Sequence, residues 1–262
     1  MEIWQAIILG AIQGFAEFLP VSSSGHLLIA QRWLGVTEGE LFFDIMLHIG
    51  TLVPVFIVFY KEIFNLFKKP FNKMLFLIIA TIPAGLTGVL LGDLVEGAFY
   101  GGDLLASILL SATFLLTATE LFFSEWVSKK YDKKLPLSYK SSLIQGVAQG
   151  IAIVPGLSRS GTVISAGCFC GLDRTENANF TFLMSIPVIL GAALVSGLNL
   201  MDTGIQIDVL PLIFGMITAM VTGYIAIKAM LKVIKKANYK WFSLYLVIMA
   251  VASTVSFIAF GV

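Results

Sequence analysis

The chain has 262 residues, 58% hydrophobic and only 13% charged, with a formal net charge of +1 and a mean hydropathy of +0.92. Soluble domains are roughly 45–50% apolar and about 25% charged, so this composition points to an integral membrane protein; the net charge says nothing about nucleic acid, and no nucleic-acid partner is expected. Strand-like alternation is absent, which argues against a β-barrel.

Residues 1–36 are apolar but broken by "EFLPVSSSGH" at 17–26. They carry no basic n-region and no A-x-A-like site, so no removable signal peptide is expected. A helix over 25–36 spans about 18 Å, short of the ~30 Å hydrocarbon core. The region therefore reads as a re-entrant hairpin of two half-helices. Such irregular backbone is tolerated at membrane depth only when buried in protein or lining a wet cavity. Crossings follow at about 41–60, 74–94 and 104–126. A second interrupted region, 141–172, has short halves at 141–154 and 161–172. Within it, Cys168 and Cys170 form a lone C-x-C and read as small packing residues. Three more crossings follow at about 178–199, 209–228 and 242–261.

Basic residues fall in alternate linkers: Lys61, Lys68, Lys69 and Lys73; then Lys129, Lys130, Lys133, Lys134 and Lys140; then Lys228, Lys232, Lys235, Lys236 and Lys240. The linkers between carry Glu96 and Asp103, or Asp202 and Asp208, without Lys or Arg. The positive-inside rule puts the basic linkers in the cytoplasm and both termini outside.

The two interrupted regions resemble each other. At an offset of 136, Gln13-Gly14 meets Gln149-Gly150 and Ser22–His26 meets Ser158–Thr162. The expected fold is all-α: a single membrane domain over 1–262 with six transmembrane helices and two re-entrant helical hairpins, arranged as an inverted-topology repeat. Repeat 1 covers about 1–126 with hairpin 1–36. Repeat 2 covers about 141–262 with hairpin 141–172, and the basic linker 127–140 joins them. Three crossings per half turn the second half over, so the hairpin tips should meet near the midplane, where inverted repeats place their sites. Gly10/Gly14 and Gly146/Gly150 suit close helix packing within one chain or across a homodimer.

Each second half-helix begins just after its serines, so two positive helix ends face one place and favour an anion such as phosphate. Arg159 adds a planar fork suited to phosphate oxygens. Ser22, Ser24, Ser158, Ser160 and Thr162 are candidate phosphate-binding hydroxyls. Glu17 and His26 are titratable groups beside the candidate nucleophile Ser23, and a serine needs a base to become one. His26 suits proton transfer near neutral pH. Glu17 is a base, an orienter or a ligand for a divalent ion. His48 and Asp44, one turn apart, are candidate cavity residues. Glu125 is expected at the membrane interface, and Glu120 has no assigned role. "GLSRSGT" lacks the Lys of a phosphate-binding P-loop.

"QGFAEFLPVSSSGHL" followed by "PGLSRSGTVIS" closely resembles the two signature segments of the undecaprenyl-pyrophosphate phosphatase, or bacitracin-resistance, family. The resemblance spans nearly the whole chain. It implies hydrolysis of a C55 polyprenyl pyrophosphate to its monophosphate and inorganic phosphate, recycling the lipid carrier of cell-wall synthesis in the bacterial plasma membrane. It also implies a divalent cation, Mg or Ca, and catalytic roles for Glu17, Ser23, His26 and Arg159. The family's E/Q-x-x-x-E motif falls on Gln13 and Glu17, so only one carboxylate is available for the metal. Ser23, His26 and a metal-activated water all remain open as nucleophile. A flippase for a phosphorylated lipid is the alternative, because inverted repeats are transporter-like.

Overall fold

The computed structural model describes residues 1–36, 40–100, 104–131, 134–203, 208–236 and 239–260. The orientation charges Asp103 and Lys133, and the side chains of Asp202, Lys235 and Lys236, lie outside the described residues. Among those described the chain is helical, apart from one isolated parallel bridge between Leu135 and Leu172. The helices are α1 Ile3–Phe18, α2 Ser23–Leu34, α3 Glu40–Val58, α4 Tyr60–Leu66, α5 Asn72–Phe99, α6 Leu104–Tyr131, α7 Tyr139–Ile151, α8 Arg159–Phe169, α9 Arg174–Thr203, α10 Val209–Lys236 and α11 Lys240–Phe260.

Six of these, α3, α5, α6, α9, α10 and α11, are long and apolar enough to cross a membrane. They coincide with the six expected crossings. Their outward faces carry side chains such as Val89, Leu90, Leu94 and Ile258, each more than 70% exposed, as suits a hydrocarbon solvent. The α6 helix continues to Tyr131, so the basic linker begins as helix.

Both interrupted regions are pairs of short helices. Pro20 ends α1, because the residue before a proline is pushed out of the helical region, and Leu19 is extended. The Ser22 side chain accepts from Gly25 N–H at 3.3 Å to start α2, and Gly35, at φ 66°, ends it in the left-handed region. In the second pair, Ser158 accepts from Gly161 N–H at 3.1 Å to start α8.

The outer ends of the two pairs lie at opposite ends of the bundle. At one end the Met1 amine meets Asp208, Gln5 donates to Leu34 O and Arg32 donates to Phe99 O. At the other end, a cavity is lined by residues of α4, the start of α9 and the end of α10. There Leu135 N–H donates to Gly171 O and Leu137 N–H to the Glu176 carboxylate. All three basic linkers reach this second end.

Packing is reciprocal between the halves. The α1 helix packs mainly on α10, and α7 mainly on α5. A Cβ on Gly10 would sit 2.3 Å from Gly215 O, and one on Gly146 would sit 2.5 Å from Ala80 O. Only glycine permits backbones this close. The glycine pairs are therefore used inside the chain.

Candidate functional site

The two helix turns touch. Ser160 Oγ donates to Leu19 O at 3.1 Å, and a Cβ on Gly161 would lie 3.3 Å from Pro20. The second turn has irregular backbone, and α6 satisfies it. Thr113 Oγ1 donates to Pro155 O at 2.7 Å, Thr117 Oγ1 donates to Gly156 O at 3.2 Å, and Ser158 N–H donates to Thr117 Oγ1 at 3.1 Å. Buried backbone groups left unpaired would each cost about 1–3 kcal/mol.

Glu17, in the last turn of α1, is the hub. Its side chain is 3% exposed. One oxygen pairs with the Arg159 guanidinium from the first residue of α8. The other accepts from Ser23 Oγ at 2.7 Å and from Gln13 Nε2 at 3.1 Å, with His48 Nε2 at 3.3 Å. The other nitrogen of His48 lies 2.7 Å from Asp44 O, one turn earlier on α3. Both His48 nitrogens thus face oxygen acceptors, and the ring satisfies both only as a double donor. One carboxylate therefore has a guanidinium, an imidazole and a hydroxyl aimed at it. An incoming anion would find cationic donors already in place, while Ser23 already shares its proton with a carboxylate. A serine needs such a contact with a base before it can act as a nucleophile.

His26, expected beside Ser23 and Glu17, faces elsewhere. Its Nδ1 lies 2.7 Å from Ser22 O and its Nε2 2.6 Å from Tyr245 Oη. Ser22 sits at φ 67° and ψ 95°, a conformation that costs a non-glycine residue of order 1–3 kcal/mol and turns its carbonyl back toward the ring. His48, expected only as a cavity residue, is the histidine on Glu17. Asp44 accepts from Gln31 Nε2 at 2.7 Å.

The hydroxyls divide by role. Ser22 and Ser158 cap α2 and α8, and Ser24 Oγ lies 3.5 Å from Ser22 Oγ. Ser160 ties the two turns together. Thr162 donates to Glu120 at 2.8 Å, which gives Glu120 a partner. Glu125, expected at the membrane interface, sits near the end of α6 and is covered by protein. It is 1% exposed, because its carboxylate accepts from Lys240 N–H at 2.9 Å to cap α11 and pairs with Lys129. Cys168 packs in the core and Cys170 is partly buried. Tyr245, Thr113 and Thr117 were not expected in the site. They sit mid-span without a local motif, and only the tertiary packing reveals them.

Beside His26 a cavity of about 610 Å³ opens between α1 and α11. Its wall is almost wholly apolar.

Six long apolar helices around a buried carboxylate–guanidinium centre define a polytopic helical membrane protein with a polar site made by two helix turns. Residues 6–252 match the family described as bacitracin resistance protein BacA, and the chain belongs to that family. It is 41% identical over 255 residues to the undecaprenyl-diphosphatase of Carboxydothermus hydrogenoformans, covering 96% of each chain. It is 41% identical over 250 residues to that of Halothermothrix orenii, covering 94% of each. It is 40% identical over 268 residues to that of Bacteroides fragilis, covering 97% of this chain and 98% of the relative.

Proposed function

We propose that this protein hydrolyses undecaprenyl pyrophosphate to undecaprenyl phosphate and inorganic phosphate in the plasma membrane, recycling the carrier of cell-wall synthesis and conferring bacitracin resistance. The observation that carries this reading is the cluster of Glu17, Ser23 and Arg159 where the two turns touch. The printed activity of the relatives supports it. The re-entrant and inverted arrangement is supported by the opposed outer ends of the two helix pairs and by their reciprocal packing. The basic linkers then face the cytoplasm and the termini face outside.

In this reading the terminal phosphate draws Arg159 away from Glu17. The fork matches phosphate oxygens, and Glu17, with the guanidinium drawn away and only His48 left facing it, becomes a better base than in the closed pair. Ser23 Oγ attacks the terminal phosphorus and its proton passes to Glu17. The bond from phosphorus to the bridging oxygen breaks, and the prenyl monophosphate leaves with the electron pair. Water then hydrolyses the phosphoserine, releasing inorganic phosphate, and Ser23 regains its proton. Arg159 stabilises the charge developing on the phosphoryl oxygens, work worth about 10²–10³ in kcat for one such donor in other enzymes. His48 holds Glu17 in register.

A divalent cation fits this site as a partner of substrate phosphate, not as an ion in a protein cage. Among the described residues no cluster of three His, Cys, Asp or Glu is placed to hold a metal. However, Gln13 Oε1 is buried with no hydrogen-bond partner in the protein, and Gln13 Nε2 is bonded to Glu17. Gln13 and Glu17 would hold the ion. It would neutralise phosphate charge.

Phosphate release by detergent-purified protein tests the assignment. Release that is lost in Ser23→Ala and Arg159→Lys, with the fold retained, is the expected outcome. Binding of the lipid without release would instead favour a carrier.

A further inference from the structure

Of the four expected catalytic residues, His26 is the one turned away from the Glu17 carboxylate, and its surroundings say why. Nδ1 faces Ser22 O, a pure acceptor, so Nδ1 carries the proton. In the neutral ring Nε2 then offers a lone pair, to which Tyr245 Oη donates at 2.6 Å. The two rings stack with centroids 5.5 Å apart and 7° between planes, and Phe114 closes the other side edge-on at 5.6 Å. Tyr245 therefore occupies the only nitrogen of His26 able to accept a proton. Both residues line the apolar groove with Ile8, Ile12, Phe15 and Leu19. The groove meets the turn that carries the phosphate centre, so its occupant is the prenyl chain attached to the diphosphate.

We propose that Tyr245 is a positioning residue that holds His26 out of the reaction until a prenyl chain fills the groove. The chain displaces the Tyr245 ring, frees Nε2 and lets His26 serve the proton transfers at the diphosphate. The enzyme thereby spends His26 on long-chain lipids and withholds it from short, water-soluble diphosphates. This rests on the phosphatase reading above.

The chain has two histidines, so ¹⁵N-histidine spectra of the full-length protein in micelles contain two rings. His48 reports on the phosphate centre and His26 on the switch. Two non-hydrolysable probes separate them: methylene bisphosphonate, and the same group carrying a polyprenyl chain. Both probes should move the His48 signals. Only the chain-bearing probe should move the His26 Nε2 signal, toward its position in Tyr245→Phe. Movement of His26 by both probes, or by neither while His48 responds, overturns the switch. A silent His48 overturns the phosphatase centre and the switch together. In turnover, the preference for C55 over a C10 diphosphate should fall about tenfold in Tyr245→Phe, the size of one hydrogen bond. An unchanged preference, from parallel losses on both substrates, would mark Tyr245 as merely structural.

Discussion

Removing the Arg159 charge separates a structural lock from a catalytic group. Arg159→Met leaves the Glu17 carboxylate buried, 3% exposed, with only Ser23, Gln13 and His48 around it. Breaking one partner of a buried pair costs about 3–5 kcal/mol, because the remaining charge stays uncompensated. Some of that is recovered here, since His48 still faces Glu17, so the lower end, about 3 kcal/mol, is expected. At about 2–4 °C per kcal/mol for a chain of this size, the melting midpoint in micelles should drop by roughly 6–12 °C. The double variant Glu17→Gln with Arg159→Met removes both charges and should recover most of that loss. Phosphate release should stay abolished in single and double variants alike. A single variant as stable as the parent would refute the buried pair. A double variant that regained both stability and turnover would refute any catalytic part for it.

The remaining predictions use other contacts. Thr117→Val deprives Gly156 O and Ser158 N–H of their side-chain partner and should cost about 2 kcal/mol or more, read as a lower melting midpoint. Unchanged stability would mean that water serves that turn equally well. Gly10→Val and Gly146→Val both force apart backbones that a Cβ already approaches within 2.3 and 2.5 Å. Each should destabilise by about 1–3 kcal/mol or more, and a tolerated substitution would show that the reciprocal packing is looser than drawn. In a background lacking Cys168 and Cys170, Glu96→Cys should react with an impermeant thiol reagent from outside and Lys130→Cys should not. The reverse would overturn the orientation.

Much of the scaffold is legible in the chain, because a bilayer imposes strict length and polarity on its spans. Helices α3, α5, α6, α9, α10 and α11 are each announced by a long, mainly apolar run. The breaks at 19–22 and 152–158 are announced by proline, glycine and serine. Glu17, Ser23 and Arg159 were marked by polarity at membrane depth, and the structure brings them together. The histidines were not separable in this way. His26 lies beside Ser23 in sequence, yet the turn at Ser22 rotates its ring toward α11. His48 belongs to another helix, and only the packing of α3 against α1 brings it to Glu17. The place of Glu125 near a helix end is legible in the chain, but its partners are not. The start of α11, 115 residues further on, buries it as a cap. Tyr245 is one more aromatic residue in an apolar span until the α1–α11 groove exists.

A structure with a non-hydrolysable prenyl diphosphate would show directly whether the two turns form the phosphate site. The terminal phosphate should lie at the junction of the two turns, within hydrogen-bond distance of the Arg159 guanidinium and next to Ser23 Oγ. The Glu17–Arg159 pair should be opened and the first isoprene units should lie against Tyr245. A diphosphate bound among the lysines of the basic linkers, with the Glu17–Arg159 pair still closed, would contradict it.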